Sequence, residues 1–277
     1  MATHFAGKLN WLERSLPEGL VVDAGWLTAH GYSTSLRSKY VRAGWLEQPA
    51  RGVYRRPRGS LSWQQVVVSL QTLLGRSLLV GGRTALDLQG YAHYLPHAVT
   101  EVHLYGPEAP PGWLDKLPLD TRFVHHNDRR LFGDAVGRRG PGRLDWSGSA
   151  PLDPHGHWTV QPWGQWDWPL TLSTPERAVL ELLDELPDRE SFHQVDMLMD
   201  GLSTLSPRRL QALLTECRSV KVKRLFFFFA DRHRHAWLGR LDKDAVSLGE
   251  GKRSLVKGGK LDRTYQITVP GDLNGVR

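Results

Sequence analysis

The chain has 277 residues, 23% of them charged, and a formal net charge of +7 at pH 7. Its length allows one large domain or a small domain joined to a medium one, and no apolar run approaches the ~18 residues of a membrane-spanning helix. The N-terminal residues lack the pattern of a secretory signal peptide, and a lone cysteine, Cys217, excludes an intrachain disulfide and a multi-cysteine zinc site. We therefore expect a cytoplasmic protein whose positive charge favours polyanionic partners.

The first helices follow from leucine spacing and from capping residues. Leucines at helical spacing predict a helix over residues 5–16. Asp23 can cap a second, short helix, and a hydroxyl of Ser33 or Thr34 can cap a third helix that runs to about Ala43. Two short helices separated by a glycine-containing turn predict a helix-turn-helix.

A small hairpin follows the third helix. Apolar and polar residues alternate over 45–48 and 52–55, on either side of a Pro-Ala-Arg-Gly turn, which predicts the wing of a winged helix. A Pro-Arg-Gly-Ser segment then has the composition of a linker, so we place a domain boundary near residue 60. Helix and strand patterns alternate beyond it, and helices dominate the later part of the chain. The predicted fold class is α+β, with a winged helix-turn-helix at 1–59 and a larger mixed α/β domain at 60–277.

The third predicted helix has two different faces. On a helical wheel, Leu36, Tyr40 and Val41 fall together and would pack against the first two helices. The opposite face is rich in hydroxyl and basic side chains, which can donate hydrogen bonds to DNA phosphates and base edges. The alternative is a solvated helix face beside a structural hairpin. The candidate DNA contacts are Thr34, Ser35, Arg37, Ser38, Lys39 and Arg42 in the helix and Arg51, Arg55 and Arg56 in the hairpin.

The expected partner is double-stranded promoter DNA. A helix, a short helix, a turn, a basic helix and a basic hairpin occur in the order of a groove-reading winged helix. Because one chain carries one such unit, a tight site should be an inverted repeat that two copies occupy. We expect a monomer or a weak dimer in solution. A pure RNA-binding module is an alternative, which a preference for RNA over the promoter duplex would identify.

Basic residues recur in the C-terminal helices, where they indicate a second nucleic-acid or partner surface or, alternatively, solvated helix faces. The run Phe226–Phe229 shares a helical stripe with Val222 and Leu225, so we expect it in the core. Two strand-like segments, 245–248 and 265–269, close the chain. The candidates for the second basic surface are Arg208, Arg209, Arg218, Lys221, Lys223, Arg224, Lys252 and Arg253.

Histidine pairs suggest a metal site, but their context does not support one. Cysteine partners are missing, and the pairs spaced by two residues would not share a helix face. We therefore expect neither a metal ion nor another cofactor. The pairs are His125 and His126, His155 and His157, and His233 and His235.

A short match to nuclease sites occurs at Glu250-Gly251-Lys252. In such sites a carboxylate holds a metal ion and a lysine stabilises the charged transition state. No suitably placed partner aspartate accompanies this match, so we do not expect an enzyme. The alternative is a metal-dependent nuclease with a winged-helix DNA-binding domain, whose DNA cleavage Glu250→Ala would abolish.

The chain resembles one known family over most of its length. Residues 20–57, LVVDAGWLTAHGYSTSLRSKYVRAGWLEQPARGVYRRP, are similar to the winged helix of the AbiEi-type antitoxins of type IV toxin–antitoxin systems. Three later segments resemble the C-terminal domain of the same family in the same order. The three later segments are TPERAVLELLDELP at 174–187, SFHQVDMLMDGLSTLSPRRLQALLTECRSVKVKRLFFFFADRHRHAW at 191–237 and GKRSLVKGGKLDRTYQITVP at 251–270.

The Gly-, Pro- and Arg-rich segment 133–157, whose composition predicts an exposed loop or hairpin, is not matched to a pattern of this family.

This resemblance implies functions that spacing and charge do not show. It implies a transcriptional autorepressor that is also the antitoxin of an AbiEii-type nucleotidyltransferase toxin in abortive infection, a phage defence. It further implies that antitoxin activity lies in the C-terminal domain and that no stable toxin–antitoxin complex is required.

Overall fold

The structure, a computed structural model, describes residues 2–91, 99–137 and 156–275. Residues 138–155 of the predicted loop at 133–157 lie outside these ranges. Helices and strands are mixed, so the α+β fold class is confirmed, and no helix in the described ranges is long and apolar enough to cross a membrane. The helices are α1 Ala2–Ser15, α2 Ala24–Ala29, α3 Thr34–Arg42, α4 Trp63–Thr72, α5 Gly82–Leu88, α6 Arg129–Gly137, α7 Pro175–Asp184, α8 Phe192–Gly201, α9 Pro207–Glu216 and α10 Val220–His233. The strands are β1 Val21–Asp23, β2 Glu47–Ala50, β3 Val53–Arg55, β4 Leu79–Val80, β5 Glu101–Gly106, β6 Arg122–Asn127, β7 Trp158–Trp163, β8 Trp168–Ser173, β9 Lys260–Asp262 and β10 Ile267–Val269.

The helix-turn-helix begins and ends where its capping residues predict. Asp23 Oδ1 accepts the N–H of Trp26 at 2.7 Å at the start of α2, and Ser33 Oγ accepts the N–H of Leu36 at 3.3 Å at the start of α3. Gly31 lies between the two helices with a φ of +80°, a left-handed conformation that glycine adopts without steric cost. The two short helices and their turn are therefore confirmed.

A three-stranded antiparallel sheet completes the winged helix, in the order β1-β3-β2. The hairpin of β2 and β3 is the predicted wing. β1 is not among the predicted strands, since its 3 residues are too few to display an alternating pattern. Val21 pairs with Arg55 and Val22 with Tyr54, and both valines are fully buried.

The winged helix and the remainder of the chain share one apolar core. Helix α4 begins after a capping box at Ser62 and packs against both β1 and β8. The N–H of Val21 donates to Ser69 Oγ at 2.9 Å, and both residues are fully buried. α4 therefore connects the two parts, and the boundary near residue 60 stays a prediction.

A five-stranded mixed sheet organises the C-terminal part, in the order β6-β5-β4-β8-β7. β5 is parallel to β6, β4 is parallel to β8, and the other neighbours are antiparallel. The β7–β8 hairpin is not among the predicted strands, because Pro162 and Pro169, which pair across it, interrupt the strand pattern. Trp158 and Trp168 are buried in it, whereas Trp166 at its tip is exposed.

Helices α7 and α8 pack against a largely buried α10. Pro175 and Pro207 occupy the first turns of α7 and α9. Proline has no N–H, but the N–H groups of the first turn form no hydrogen bond within the helix, so none is lost there. All four side chains of Phe226–Phe229 are at most 5% exposed, which confirms their predicted place in the core.

One of the two predicted C-terminal strands is wrong. The segment 265–269 contains β10, but residues 245–248 form no strand. The carbonyl groups of Leu248 and Gly249 instead accept hydrogen bonds from the Arg224 guanidinium at 2.7 and 2.9 Å. A buried side chain thus satisfies acceptors that a strand ladder would otherwise use, and β10 pairs with β9.

A charged network lies inside the C-terminal part. The Arg177 guanidinium contacts Asp128 Oδ2 at 2.8 Å and Glu181 Oε1 at 2.7 Å, and the three side chains are at most 3% exposed. Glu181 also accepts the hydroxyl of Ser173 at 3.1 Å and the N–H of Gly82 at 2.9 Å. These bonds join β8, α5, α7 and the residue between β6 and α6, and buried charges persist only with such partners.

Candidate nucleic-acid interface

Helix α3 presents a continuous polar face to solvent. Its opposite face packs inward as the helical wheel predicts, with Leu36 and Tyr40 buried and Val41 half-buried. The exposed face carries hydroxyl groups and cations and no carboxylate, so no group on it would repel a phosphate. Its exposed members are Thr34, Ser35, Ser38, Lys39 and Arg42.

Arg37 does not belong to this exposed face. Its side chain is 7% exposed and joins α3 to α2. Nη1 donates to the carbonyl of Ala24 at 3.0 Å, to Thr28 Oγ1 at 2.7 Å and to the carbonyl of Tyr32 at 3.2 Å, and Nη2 donates to Thr34 Oγ1 at 2.9 Å. The structure therefore places Arg37 among the residues that position α3, and we correct its assignment as a DNA contact.

The arginines of the wing also divide into two groups. Arg51 is exposed at the turn between β2 and β3. Arg55 is 7% exposed, and its Nε lies 2.7 Å from Glu47 Oε2 while its Nη2 donates to the carbonyl of Gly59 at 2.6 Å. Of these two arginines, Arg51 is therefore the one whose charge is exposed to solvent.

Arg56 and Arg58 share one acidic partner, Glu18. Arg56 Nη2 lies 3.1 Å and Arg58 Nη1 lies 3.0 Å from the two oxygens of this carboxylate. The Arg58 guanidinium also lies 5.4 Å from the ring centroid of Trp166, at the tip of the β7–β8 hairpin. These contacts tie the wing to the turn after α1 and to the C-terminal part, so Arg56, like Arg55, has an intramolecular role that its spacing did not indicate.

Trp45 is an exposed aromatic residue that follows α3 in the chain. Its surface is 47% exposed. An exposed tryptophan offers a large ring face and an indole N–H to a partner. The signal in the sequence is a tryptophan directly after the glycine that ends the helix.

The structure separates the predicted second basic surface into exposed and internal residues. Lys223 and Arg224 are buried, and Lys221 is half-buried with its Nζ 2.9 Å from the carbonyl oxygen of Leu186. These three residues stabilise the C-terminal fold and offer no charge to a polyanion. The exposed residues of the set are Arg208, Arg209, Arg218, Lys252 and Arg253.

Three side chains that could hold a metal ion meet at one end of α7. His103 of β5, His126 of β6 and Glu185 each offer a ligand atom, and these atoms lie within 4.8 Å of one another. His103 Nδ1 is 3.0 Å from His126 Nε2, and His126 Nδ1 is 2.9 Å from Glu185 Oε1. The residues come from three separate elements, so the spacing of histidines in the sequence does not indicate this cluster. It is the one such group among the described residues.

Burial sets the charge of this cluster. Burial, and secondly the neighbouring His126, lower the pKa of His103 to about 4, so this imidazole is neutral at pH 7. Burial alone would raise the pKa of Glu185, but the hydrogen bond and the charge of His126 outweigh it and lower this pKa below its ordinary value. The cluster therefore combines a neutral imidazole with an ionised carboxylate.

The Glu-x-Lys match lies in an exposed coil. Glu250 and Lys252 are both exposed, and Glu250 joins no cluster of metal-ligating groups among the residues that the structure describes. A carboxylate alone on the surface cannot fix a metal ion for hydrolysis. The structure therefore adds no support for the nuclease alternative.

Comparisons with known proteins identify the family and the fold. A family model described as "Transcriptional regulator, AbiEi antitoxin, Type IV TA system" matches residues 152–270, and one described as "Transcriptional regulator, AbiEi antitoxin N-terminal domain" matches residues 6–97. The fold is similar to the crystal structure of the RV2827C protein from Mycobacterium tuberculosis, with a TM-score of 0.52 and 18% sequence identity over 94% of this chain and 88% of that chain. No curated protein sequence matches this chain.

The two family models together cover most of the chain, and both descriptions name a regulator rather than an enzyme. The N-terminal model extends beyond the winged helix through α4 and α5. The predicted resemblance is confirmed, and so is the expectation that the protein is not an enzyme. The chain belongs to the AbiEi family of transcriptional regulators, the antitoxins of type IV toxin–antitoxin systems.

Proposed function

We propose that the protein represses its own operon by binding the promoter with α3 in the major groove of double-stranded DNA. The exposed face of α3 carries this proposal, since it is the surface of the winged helix on which hydroxyls and cations are combined without carboxylates. Such side chains read base edges when a recognition helix enters the major groove. The membership in a family of transcriptional regulators supports the same function.

The proposed contacts are fewer than the sequence indicates. Thr34, Ser35, Ser38, Lys39 and Arg42 would face the groove, because they share the exposed side of α3. Arg51 would contact a phosphate from the wing. Arg37, Arg55 and Arg56 act indirectly in this proposal, because their guanidinium groups hold α3 and the wing in place.

Arg51→Ala tests the proposed phosphate contact of the wing. We expect weaker binding to every DNA sequence, and a plot of log affinity against log salt concentration that is shallower by about one unit, because one fewer counterion is released. Fluorescence anisotropy at several salt concentrations measures both quantities. Arg240→Ala, which removes an exposed cation of the C-terminal part, is the matched control, and equal slopes for the two variants would remove Arg51 from the interface.

The promoter site would be an inverted repeat that two copies occupy, because the described part of each chain has one winged helix. In solution the protein would be a monomer or a weak dimer that pairs on DNA. Analytical ultracentrifugation with a labelled promoter duplex measures the stoichiometry. One chain per duplex at saturation would contradict the two-copy arrangement.

We further propose that the antitoxin activity opposes an AbiEii-type nucleotidyltransferase toxin, lies in the C-terminal part and needs no stable complex. The full-length double variant Ser38→Ala/Arg42→Ala separates this activity from repression, since both side chains are exposed and their loss should leave the fold intact. With the toxin expressed from an unrelated promoter, we expect the double variant to restore growth as well as the wild type does. Failure of this variant, shown to be folded, would mean that neutralisation requires DNA binding.

The proposed domain boundary near residue 60 has its own test. Residues 60–277 should fold alone, retain the antitoxin activity and lose specific promoter binding. Removing residues 1–59 uncovers the side of α4 that packs on β1, so we expect this fragment to melt below the full-length protein. Circular dichroism establishes whether it folds, and growth with the toxin then measures its activity. A folded fragment that does not rescue growth would place part of the activity in the winged helix.

A further inference from the structure

Two histidines meet on one face of the C-terminal sheet. β5 and β6 are parallel, and their register pairs Tyr105 with His126 and His103 with Val124. His103 and His126 are therefore diagonal neighbours on the same face, since alternate residues of a strand point to the same side. Their nearest ring nitrogens are 3.0 Å apart, and the ring planes are inclined by only 7°.

A carboxylate fixes the orientation of one of the two rings. Glu185 follows the last residue of α7, and its Oε1 lies 2.9 Å from His126 Nδ1. Because an ionised carboxylate only accepts hydrogen bonds, it holds the proton of His126 on Nδ1. In the neutral form of His126 its Nε2 then carries no proton and accepts the N–H of His103 Nδ1.

This arrangement has the parts of a metal site of the carboxylate–histidine–metal type. In such sites an imidazole binds the metal through one nitrogen and donates its other N–H to a carboxylate, which fixes the tautomer. With metal–nitrogen bonds of about 2.0 Å, two imidazole nitrogens in a tetrahedral site lie about 3.3 Å apart. The observed 3.0 Å needs to widen by a few tenths of an ångström, and both rings need to turn so that their lone pairs point at the ion rather than along the hydrogen bond.

We propose that His103 Nδ1 and His126 Nε2 bind a divalent transition metal ion, with Zn²⁺ the preferred one. Glu185 accepts the N–H of His126 Nδ1 and so holds this ring in the orientation that binds the ion. Imidazole nitrogens suit Zn²⁺ far better than Mg²⁺ or Ca²⁺. The ion takes the place of the hydrogen bond between the two rings, and the proton on His103 Nδ1 moves to Nε2 of the same ring. Water completes the coordination, so the affinity is moderate. The site joins β5 and β6 to the end of α7.

Two neighbouring groups bear on the binding of the ion. Arg189 Nε lies 3.8 Å from the second oxygen of Glu185, but its side chain is 51% exposed and can turn into solvent. Tyr105 stacks on His126 with ring centroids 4.5 Å apart, which limits rotation of this imidazole. One of the two rings that bind the ion, that of His126, is therefore already held in place, which lowers the entropy lost on binding.

Calorimetric titration of tag-free, full-length protein with Zn²⁺ tests the proposal. We expect one saturable site in the wild type, at least tenfold weaker binding in His103→Gln and in His126→Gln, and binding about 10–100-fold weaker in Glu185→Gln. His125→Gln is the matched control, because His125 directly precedes His126 in β6 and its side chain points to the opposite face of the sheet. It should bind Zn²⁺ as the wild type does.

A second measurement does not depend on the heat of binding. Zn²⁺ should raise the melting temperature of the wild type and of His125→Gln, because a ligand that binds the folded state stabilises it. The melting temperature of His103→Gln should not change with Zn²⁺. Circular dichroism without metal verifies that each variant is folded. Equal Zn²⁺ affinity in the wild type and His103→Gln, or no saturable binding in the wild type, would show that the cluster is only a hydrogen-bonded contact.

Discussion

Replacing Arg177 with methionine is expected to lower the free energy of unfolding by about 3–5 kcal/mol. The guanidinium lies 2.8 Å from Asp128 Oδ2 and 2.7 Å from Glu181 Oε1, in a region closed to solvent. Methionine occupies part of the same volume but leaves two buried carboxylates without their cation, and an unpaired buried charge is strongly unfavourable. Urea denaturation of the full-length variant and wild type at pH 7 measures the difference.

This destabilisation should depend on pH. Burial already raises the pKa of Glu181, and loss of Arg177 raises it further. A folded-state pKa above the unfolded one means that the unfolded state releases its proton first, so stability falls as the pH rises. We therefore expect a larger loss at pH 8 than at pH 5.

The control is Arg122→Met, which breaks an exposed ion pair with a nitrogen–oxygen distance of 3.6 Å to Glu101. Exposed pairs contribute about 0–1 kcal/mol, so this variant should unfold nearly as the wild type does. If Arg177→Met cost no more than Arg122→Met, the buried network would not hold the C-terminal elements together.

Arg42→Ala is expected to weaken binding to the promoter duplex by about 1–3 kcal/mol and to relax the preference for its sequence. Arg42 is exposed in the last turn of α3, on the side that carries Ser35 and Ser38. An arginine in this position can donate two hydrogen bonds to one guanine edge, which alanine cannot replace. Mobility-shift titrations with the promoter duplex and a scrambled duplex measure affinity and selectivity together.

The control for Arg42→Ala is Arg240→Ala, which removes the same charge from an exposed position in the C-terminal part and should leave selectivity unchanged. If Arg42→Ala kept both the affinity and the selectivity of the wild type, α3 would not be the recognition helix. A loss of affinity that is equal for promoter and scrambled duplexes would assign Arg42 to a phosphate instead of a base.

The local features of the winged helix could be predicted from the sequence. Asp23 and Ser33 cap their helices through bonds within three residues, and Leu36 and Tyr40 lie on one side by helical period alone. Interactions of this kind depend on residues that are close in the chain, so their spacing is visible without the fold. Strand β10 could be predicted for the same reason, because apolar and polar residues alternate within its own short segment of the chain.

The contacts of the arginines could not be predicted in the same way. Arg56 meets Glu18 across 38 positions of the chain, and Arg224 meets the carbonyl of Leu248 across 24. A guanidinium is long enough to bond inside the fold or to reach solvent, and composition does not distinguish these outcomes. Arg37 shows the same limit on a shorter scale, since it adjoins Val41 on the helical wheel and turns toward α2.

The cluster at the end of α7 shows why clusters of functional groups escape sequence reasoning. His103 and His126 are 23 positions apart and meet only because β5 and β6 are parallel neighbours with a particular register. Glu185 reaches them from a helix that follows two further strands. The pairing of strands depends on the whole domain, so neither the spacing of histidines nor their number indicates the site.

Footprinting on the DNA upstream of the protein's own gene tests the proposed function most directly. We expect the wild type to protect two half-sites of an inverted repeat, with centres about 10 base pairs or a multiple of this apart, so that both face the same side of the duplex. The Ser38→Ala/Arg42→Ala variant should give no protection at the same concentration. Protection by the variant equal to that by the wild type, or a single unpaired half-site, would contradict recognition by α3 of two copies.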